Sequence, residues 1–545
     1  MKRFSFGWVV LIALLLAVLV STLVSDRAAR APEIGEEPTY ALQAASLAWD
    51  FDLTYEEQDY RRFVEQWGVR PPGIDLESQD GGRTQVYGRP FFHALVAAPF
   101  VRVMPDRGMR FANALLLAVA ALLTARTLAL RFGSPAPLWV AVFVFASVLF
   151  AYVFLATADL FLVAVTAAGF ALVYSEQTEP AMPQVYEGSA GWSWGVFGRW
   201  IGIGLLLAIP GAYRLPYLLL LVPAVLAIRE ILVRTRLSAW AGLALGAGGS
   251  LLLASLVHAA AGGDPLWSLA SLKPEPDPGL LAWNAVYLLI GRSVGILPYF
   301  LPVLLAMVAY RKGEGRGALL ACAALGSVAF LLLRPFDFAG IANTPGNRLF
   351  LPLYAALWFL PARPLRLSWA IAAITAVAAA VPFLAPVWLG TRSPELLARV
   401  VERLPYETTQ RDLPGEWVSE SGIRVKPTTR NVWQAEQGSG FRLAGDVPGS
   451  LVVASEHPLK GLVLDFDRNS PTLLKANGAE LRPTLLRADG SVSFEIPLGS
   501  ARAHPMWWTG QTWHVYPVSF SLPDAPARPL GFRVHPARDL IQERP

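Results

Sequence analysis

Apolar and polar positions sort the chain into three regimes. From residue 6 to about 390, long apolar runs recur between short polar stretches. A bilayer core about 30 Å thick needs about 20 mostly apolar residues per helix. The runs therefore predict a first span at Phe6–Val24, then spans at about 109–130, 137–155, 158–175, 196–211, 214–229, 238–260, 293–310, 317–333, 348–362 and 367–389, roughly eleven in all. The second regime is a polar interruption, 25–107, rich in acids, aromatics and prolines; within it Ala41–Trp49 reads as a short helix lying on the membrane surface. The third, 410–545 after a linker at 391–409, alternates, as in Leu462-Val463-Leu464-Asp465-Phe466 and Val492-Ser493-Phe494-Glu495-Ile496. Short alternating runs between turn residues read as a β-sandwich or jelly roll.

Composition agrees with the apolar runs: 54% of residues are hydrophobic and 16% charged, against about 25% charged in soluble domains. The net charge of +5 does not indicate a nucleic-acid partner, because no basic stripe accompanies a nucleic-acid-binding fold signature. A single cysteine, Cys322, excludes an intramolecular disulfide and a thiolate zinc site of the usual kind. No Gly-x-x-x-x-Gly-Lys-Ser/Thr loop is present, which argues against ATP-driven transport, and there is no His-Glu-x-x-His.

Charge position sets the orientation. The start Met1-Lys2-Arg3 followed by Phe6–Val24 fits a signal peptide cut at Ala29-Arg30-Ala31 or an uncleaved anchor, and the length of the run favours the anchor. With the N-terminus cytoplasmic, the inner loops carry Arg131; Arg229, Arg234 and Arg236; Arg311, Lys312 and Arg316; Arg363 and Arg366. That obeys the positive-inside rule, although the acidic loop 176–195 gives no support. The expectation is a multi-pass protein of the inner or plasma membrane with its tail extracytoplasmic. Asp159, Arg214, Asp264, Arg292, Arg334, Asp337, Asn347 and Arg348 then fall at the outer ends of spans. They either line a polar cavity or snorkel singly to the interface.

The acidic pair after the first span, Gly35-Glu36-Glu37-Pro38-Thr39-Tyr40, resembles the opening of GT-C membrane glycosyltransferases of the protein O-mannosyltransferase and aminoarabinose-transferase type. Gly291-Arg292-Ser293-Val294-Gly295-Ile296-Leu297-Pro298-Tyr299 and Gly346-Asn347-Arg348-Leu349-Phe350-Leu351-Pro352-Leu353-Tyr354 are similar to segments of related bacterial multi-span proteins, and the resemblance covers about residues 1–390. It implies transfer of a sugar from a polyprenyl-phosphate carrier on the outer face, with a first-loop carboxylate deprotonating the acceptor or holding a divalent metal ion. The family's pair usually includes Asp; here both positions are Glu. Helix neighbours point about 100° apart, so Glu36 and Glu37 are expected to face different surroundings, with Glu36 the preferred base.

The chemistry asks for the same groups. Attack on the anomeric carbon needs a base near the acceptor hydroxyl and cations for the departing phosphate. The planar fork of arginine suits phosphate, which makes Arg89, Arg214, Arg292 and Arg348 the donor-phosphate candidates. His93 is either a helper there or an interface residue, and Asp52 a second acid or a solvated surface group. Asp159 holds the pocket or caps a helix, and Tyr40 and Asn347 complete the pocket set. In the tail, Trp507 and Trp513, with Trp433 and Trp508, stack on sugars or belong to a core or interface. The acceptor is a glycan, lipid or protein. Two rivals stand beside the enzyme reading: a non-catalytic envelope scaffold of the same fold, and a transporter or flippase for a lipid-linked glycan. Span centres nearly free of charge count against the second.

Overall fold

The computed structural model describes most of residues 6–366, leaving out chiefly 176–191 and 265–277, and most of 418–537. The expected span 367–389 and the linker lie almost wholly outside the described residues. Among these, Phe6–Val24 (α1), Gly108–Phe132 (α5), Trp194–Tyr213 (α8) and Leu237–Ala260, within the helix Arg236–Ala260 (α10), are long and apolar enough to cross a membrane. The chain is thus a polytopic helical membrane protein. A fifth span is possible by length if Ala136–Phe145 (α6) and the 3-10 turn Val148–Phe154 are taken together across a 64° bend. The expected straight span 137–155 is therefore broken. Ser147 sits at the break, where its Oγ donates to the Phe143 carbonyl (2.7 Å) and accepts from the Leu149 N–H (3.2 Å).

Other apolar helices are short. Asp159–Ser175 (α7) and Gly317–Leu333 match their expected bounds. The stretch expected at 214–229 is a 3-10 turn, Leu215–Leu220, running into Leu221–Ile231 (α9). That expected at 293–310 is split into Ile296–Tyr299 and Pro302–Ala309, where Pro302 lacks the N–H that would continue the first helix. That expected at 348–362 is a 3-10 turn, Arg348–Phe350, and a helix Leu351–Leu357. An apolar helix at Pro278–Ile290 had no counterpart among the expected spans.

The 25–107 segment folds down onto the bundle. Its helices are Glu37–Trp49 (α2), Glu57–Trp67 (α3) and Phe92–Val103 (α4), with the short antiparallel pair Leu76–Glu77 and Val86–Tyr87 between them. Pro38 in the first turn of α2 is a residue whose fixed φ favours helix initiation. Nine of the thirteen residues of α2 are buried, and it packs on α4. So α2 is an interior element and not the surface strip its apolar run suggested. A capping box at Glu56 and Asp59 opens α3, and Gly68 in the left-handed region ends it.

The described tail strands form two antiparallel sheets. One has Gln511–Ser521, Gly449–Ser455 and Ile423–Pro427 at its centre; the other has Val492–Pro497, Gly461–Phe466 and Leu530–Pro536. Alternation puts Val425, Val453, Val518 and Phe520 of the first and Leu464, Phe494, Phe532 and Val534 of the second into one buried cluster.

Candidate functional site

Glu36 ends the loop before α2 and is 9% exposed. Three arginines from distant parts of the chain surround it. Its Oε1 takes Arg89 Nη2 at 2.6 Å and Arg214 Nη2 at 3.2 Å, and its Oε2 takes Arg348 Nη2 at 2.9 Å. Arg348 also donates from Nε to both oxygens of Asp159 at 2.6 and 2.8 Å, and Thr157 Oγ1 donates to Asp159 Oδ2 at 2.6 Å. Arg89 reaches outward to Asp75 at 2.8 Å. Burial pushes the Glu36 carboxyl up, but Arg89, Arg348 and Arg214 together outweigh burial and hold it below the usual carboxylate range. With both oxygens ion-paired, Glu36 is here an organiser of guanidinium groups and a weak base.

Each member is set by local structure. Arg89 follows the short strand Val86–Tyr87, and its carbonyl accepts from Gln43 of α2 at 2.8 Å. The backbone N–H of Asp75 donates to Thr39 of α2 at 2.9 Å, so both halves of the Arg89–Asp75 pair are tied to α2. Arg214 is the C-cap of α8. Arg348 opens a 3-10 turn capped by Asn347, whose Oδ1 accepts from the Phe350 N–H at 3.0 Å, and Tyr217 anchors the turn from below by donating to the Leu349 carbonyl at 2.9 Å. Asn347 thus serves Arg348 by capping. Gly340 lies against this arginine with φ +85°; an added Cβ would stand 3.2 Å from Arg348 Cβ. The two segments singled out after residue 290 meet here: Gly346 abuts the Tyr299 ring, and Phe300 packs on Phe350 and Tyr354.

Glu37 faces elsewhere, as helical geometry requires. Fully buried, its Oε1 accepts from Arg30 at 3.0 Å and from the Ala156 N–H at 2.8 Å, with Arg110 Nη2 at 4.0 Å. Arg110, in the first turn of α5, donates to the Phe154 carbonyl at 2.9 Å and the Arg30 carbonyl at 2.8 Å. This second cluster pins the segment after the bend, whose next residues supply Thr157 and Asp159.

His93 is fully buried. Its Nε2 meets Asn113 Oδ1 at 3.1 Å, and the Asn113 amide nitrogen donates to the Leu155 carbonyl at 2.7 Å. The Asn113 oxygen must therefore accept, which places the imidazole proton on Nε2. Burial drops the His93 pKa to about 4, so the ring is neutral and brings no cation to a phosphate. It packs edge-on to Tyr40, ring centroids 5.7 Å apart, and Tyr40 feels the charges of Glu36, Arg89, Arg348 and Arg214. Asp52 is not brought to the cluster: it accepts from Ser46 Oγ at 2.6 Å near the far end of α2.

Of the sequence-derived candidates, the structure joins Glu36, Arg89, Arg214, Arg348 and Asp159, with Tyr40 and Asn347 beside them. Arg292, Trp507 and Trp508 lie outside the described residues. Trp513 and Trp433 sit in strands opposite His504 and Arg442. Asp75, Thr157, Arg30, Arg110 and Asn113 were not anticipated. A signal existed only for Arg110, a charge one turn into an apolar run. Among the described residues no three His, Cys, Asp or Glu side chains group as a metal site.

No protein-family model matches the chain, and no curated protein sequence does. Among solved structures it is similar to ArnT from Cupriavidus metallidurans. Against the form bound to undecaprenyl phosphate the TM-score is 0.41 at 18% identity, covering 71% of this chain and 66% of that one. Against the apo form the TM-score is 0.43 at 17% identity with the same coverage. The chain thus spans just under two thirds of the length of those proteins.

Proposed function

We propose that this chain is a GT-C-type glycosyltransferase that takes a sugar from a polyprenyl-phosphate carrier and delivers it to an acceptor on the extracytoplasmic face. The observation that carries the reading is the convergence of Arg89, Arg214 and Arg348 on one carboxylate at one end of an apolar bundle. Guanidinium groups gathered where helices end suit a phosphate that arrives on a lipid. In this reading the span count is near eleven, the N-terminus is cytoplasmic, and the tail is an extracytoplasmic β-sandwich that binds or shields.

In the reaction the bond from the anomeric carbon to the phosphate oxygen breaks and a bond to the acceptor oxygen forms. A base takes the acceptor proton. Arg214 and Arg348 neutralise the leaving phosphate. Once phosphate engages those arginines, Glu36 loses part of its cage, regains basicity and takes the proton. Asp159 keeps Arg348 in place.

The test is native mass spectrometry of lipid that copurifies with the full-length protein, for wild type and for Arg214→Ala combined with Arg348→Ala. A polyprenyl phosphate or its sugar conjugate in wild type and its loss from the variant is the expected result, and it names the sugar for a turnover assay. No carrier lipid in wild type, together with no transfer from any supplied polyprenyl-phosphate sugar, would leave the scaffold reading.

A further inference from the structure

Arg334 is the C-cap of the helix Gly317–Leu333. The following residue is held in place: the Pro335 carbonyl accepts from Asn284, a fully buried side chain on the helix Pro278–Ile290, at 2.6 Å. Arg334 has one carboxylate partner among the described contacts, Asp337 at 3.5 Å. Its Nε is buried and has no hydrogen-bond partner among the described residues, and the same is true of Arg89 Nε. A buried donor without an acceptor costs about 1–3 kcal/mol, so two such donors near one place point to a missing acceptor. Arg334 lies one turn beyond Phe330, whose ring packs on that of Tyr217 at 5.1 Å between centroids, three residues after Arg214, and Arg89 and Arg214 share Glu36 Oε1.

The charge balance says what that acceptor is. Among the described residues the cluster gathers four guanidinium groups, Arg89, Arg214, Arg334 and Arg348, and two buried carboxylates, Glu36 and Asp159, with neither of which Arg334 pairs. The other two carboxylates, Asp75 and Asp337, have side chains 43% and 31% exposed, where water weakens their field. Counted over the described residues, the buried part of the site is short of two negative charges. A phosphate monoester above its second pKa of about 6 supplies two; a sugar-bearing phosphodiester supplies one.

We infer that Arg334 joins Arg89, Arg214 and Arg348 in a phosphate site that prefers a dianionic lipid phosphate monoester to the monoanionic diester. This rests on the glycosyltransferase reading and extends it. Transfer turns a diester into a monoester, so the negative charge that develops on the leaving oxygen is the charge this site lacks. The spent carrier is then held more tightly than the loaded one, and its release limits turnover.

The test is calorimetric titration of the full-length protein in nanodiscs with farnesyl phosphate, its methyl ester and inorganic phosphate. At pH 7.5 wild type should bind the monoester roughly tenfold or more tighter than the methyl ester, as for a site gaining charge-assisted hydrogen bonds. That preference should fade as pH falls through about 6, where the monoester loses its second charge. Arg334→Gln should weaken monoester binding far more than methyl-ester binding and so abolish the preference; Arg334→Lys should keep part of it. Equal affinities in wild type, or a preference intact in Arg334→Gln, would overturn the inference while leaving the proposed function standing. If neither lipid binds, the donor site itself falls. Inorganic phosphate binding as tightly as farnesyl phosphate would assign the site to a free anion and overturn its lipid part.

Discussion

Glu36 and Glu37 are adjacent, identical in chemistry and unlike in surroundings. Glu36 meets three arginines that reach it from 53 to 312 residues further along the chain (89 − 36 and 348 − 36). Glu37 serves a buried Arg30–Arg110–Ala156 cluster. The two Glu→Gln substitutions therefore separate cleanly. Glu36→Gln should abolish sugar transfer, by 100-fold or more, yet retain or tighten carrier-phosphate binding, since it removes an anion that competes for the same guanidinium groups. Loss of both in a binding-and-turnover pair of assays would instead make Glu36 a structural anchor. Glu37→Gln should act on stability, since breaking a buried charge cluster costs about 3–5 kcal/mol; its melting temperature in detergent should fall well below that of wild type. Asp59 adds a pH effect. Burial raises its pKa to about 6 from the ordinary 3.8, so the folded loop holds a proton that the unfolded loop releases. Stability of this loop should fall as pH rises from about 4 to about 6 and stay flat above that. Hydrogen exchange of α3, corrected for intrinsic rates, should show this slope in wild type and lose it in Asp59→Asn.

Among elements, two backbones approach where only glycine permits. On α10, Gly242 and Gly246 are four residues apart and lie against the backbone of α8: a Cβ at Gly242 would meet the Phe197 carbonyl, and one at Gly246 the Ile201 carbonyl. Small residues at this spacing allow close packing of membrane helices. Since α8 ends in Arg214, its position depends on that contact. Gly246→Leu should lower thermal stability and weaken carrier binding together, whereas Leu245→Ala, on an exposed position of the same helix, should do neither. A melting curve and a lipid-binding curve for the two variants would decide it.

Across the molecule, charge collects at two ends. Arg110 opens α5 beside the Glu37 cluster and Arg131 closes it, about 32 Å away at 1.5 Å per residue. Near the far end Arg131 donates to the Pro361 carbonyl at 3.2 Å, and Arg316 donates to the Phe359 carbonyl. The proposed topology makes this the cytoplasmic end and the Glu36 end the outer one. Cys322 is buried, so an exposed tail position such as Lys475, with a side chain 50% exposed, can carry a reporter. Lys475→Cys in Cys322→Ala protein should react with a membrane-impermeant maleimide on intact cells. Labelling only after the cells are opened would reverse the orientation.

Residue order alone determined which stretches are apolar, where α1, α5, α7, α8 and α10 run, and that the tail alternates with period two. These follow from local burial, which leaves a local periodicity. It also sufficed to select Arg214 and Arg348, because charges at the ends of apolar runs are costly enough to need a reason, while Glu36 was singled out by the resemblance of its segment and Arg89 by the fit of arginine to phosphate. Only the tertiary structure decided which of them meet. Arg348 and Glu36 pair across 312 residues, and no local pattern carries such a pairing. The same holds for the backbone breaks at Ser147 and Pro302, for the burial of α2, and for the neutrality of His93. Each is set by what packs against the segment, which one stretch of sequence cannot state.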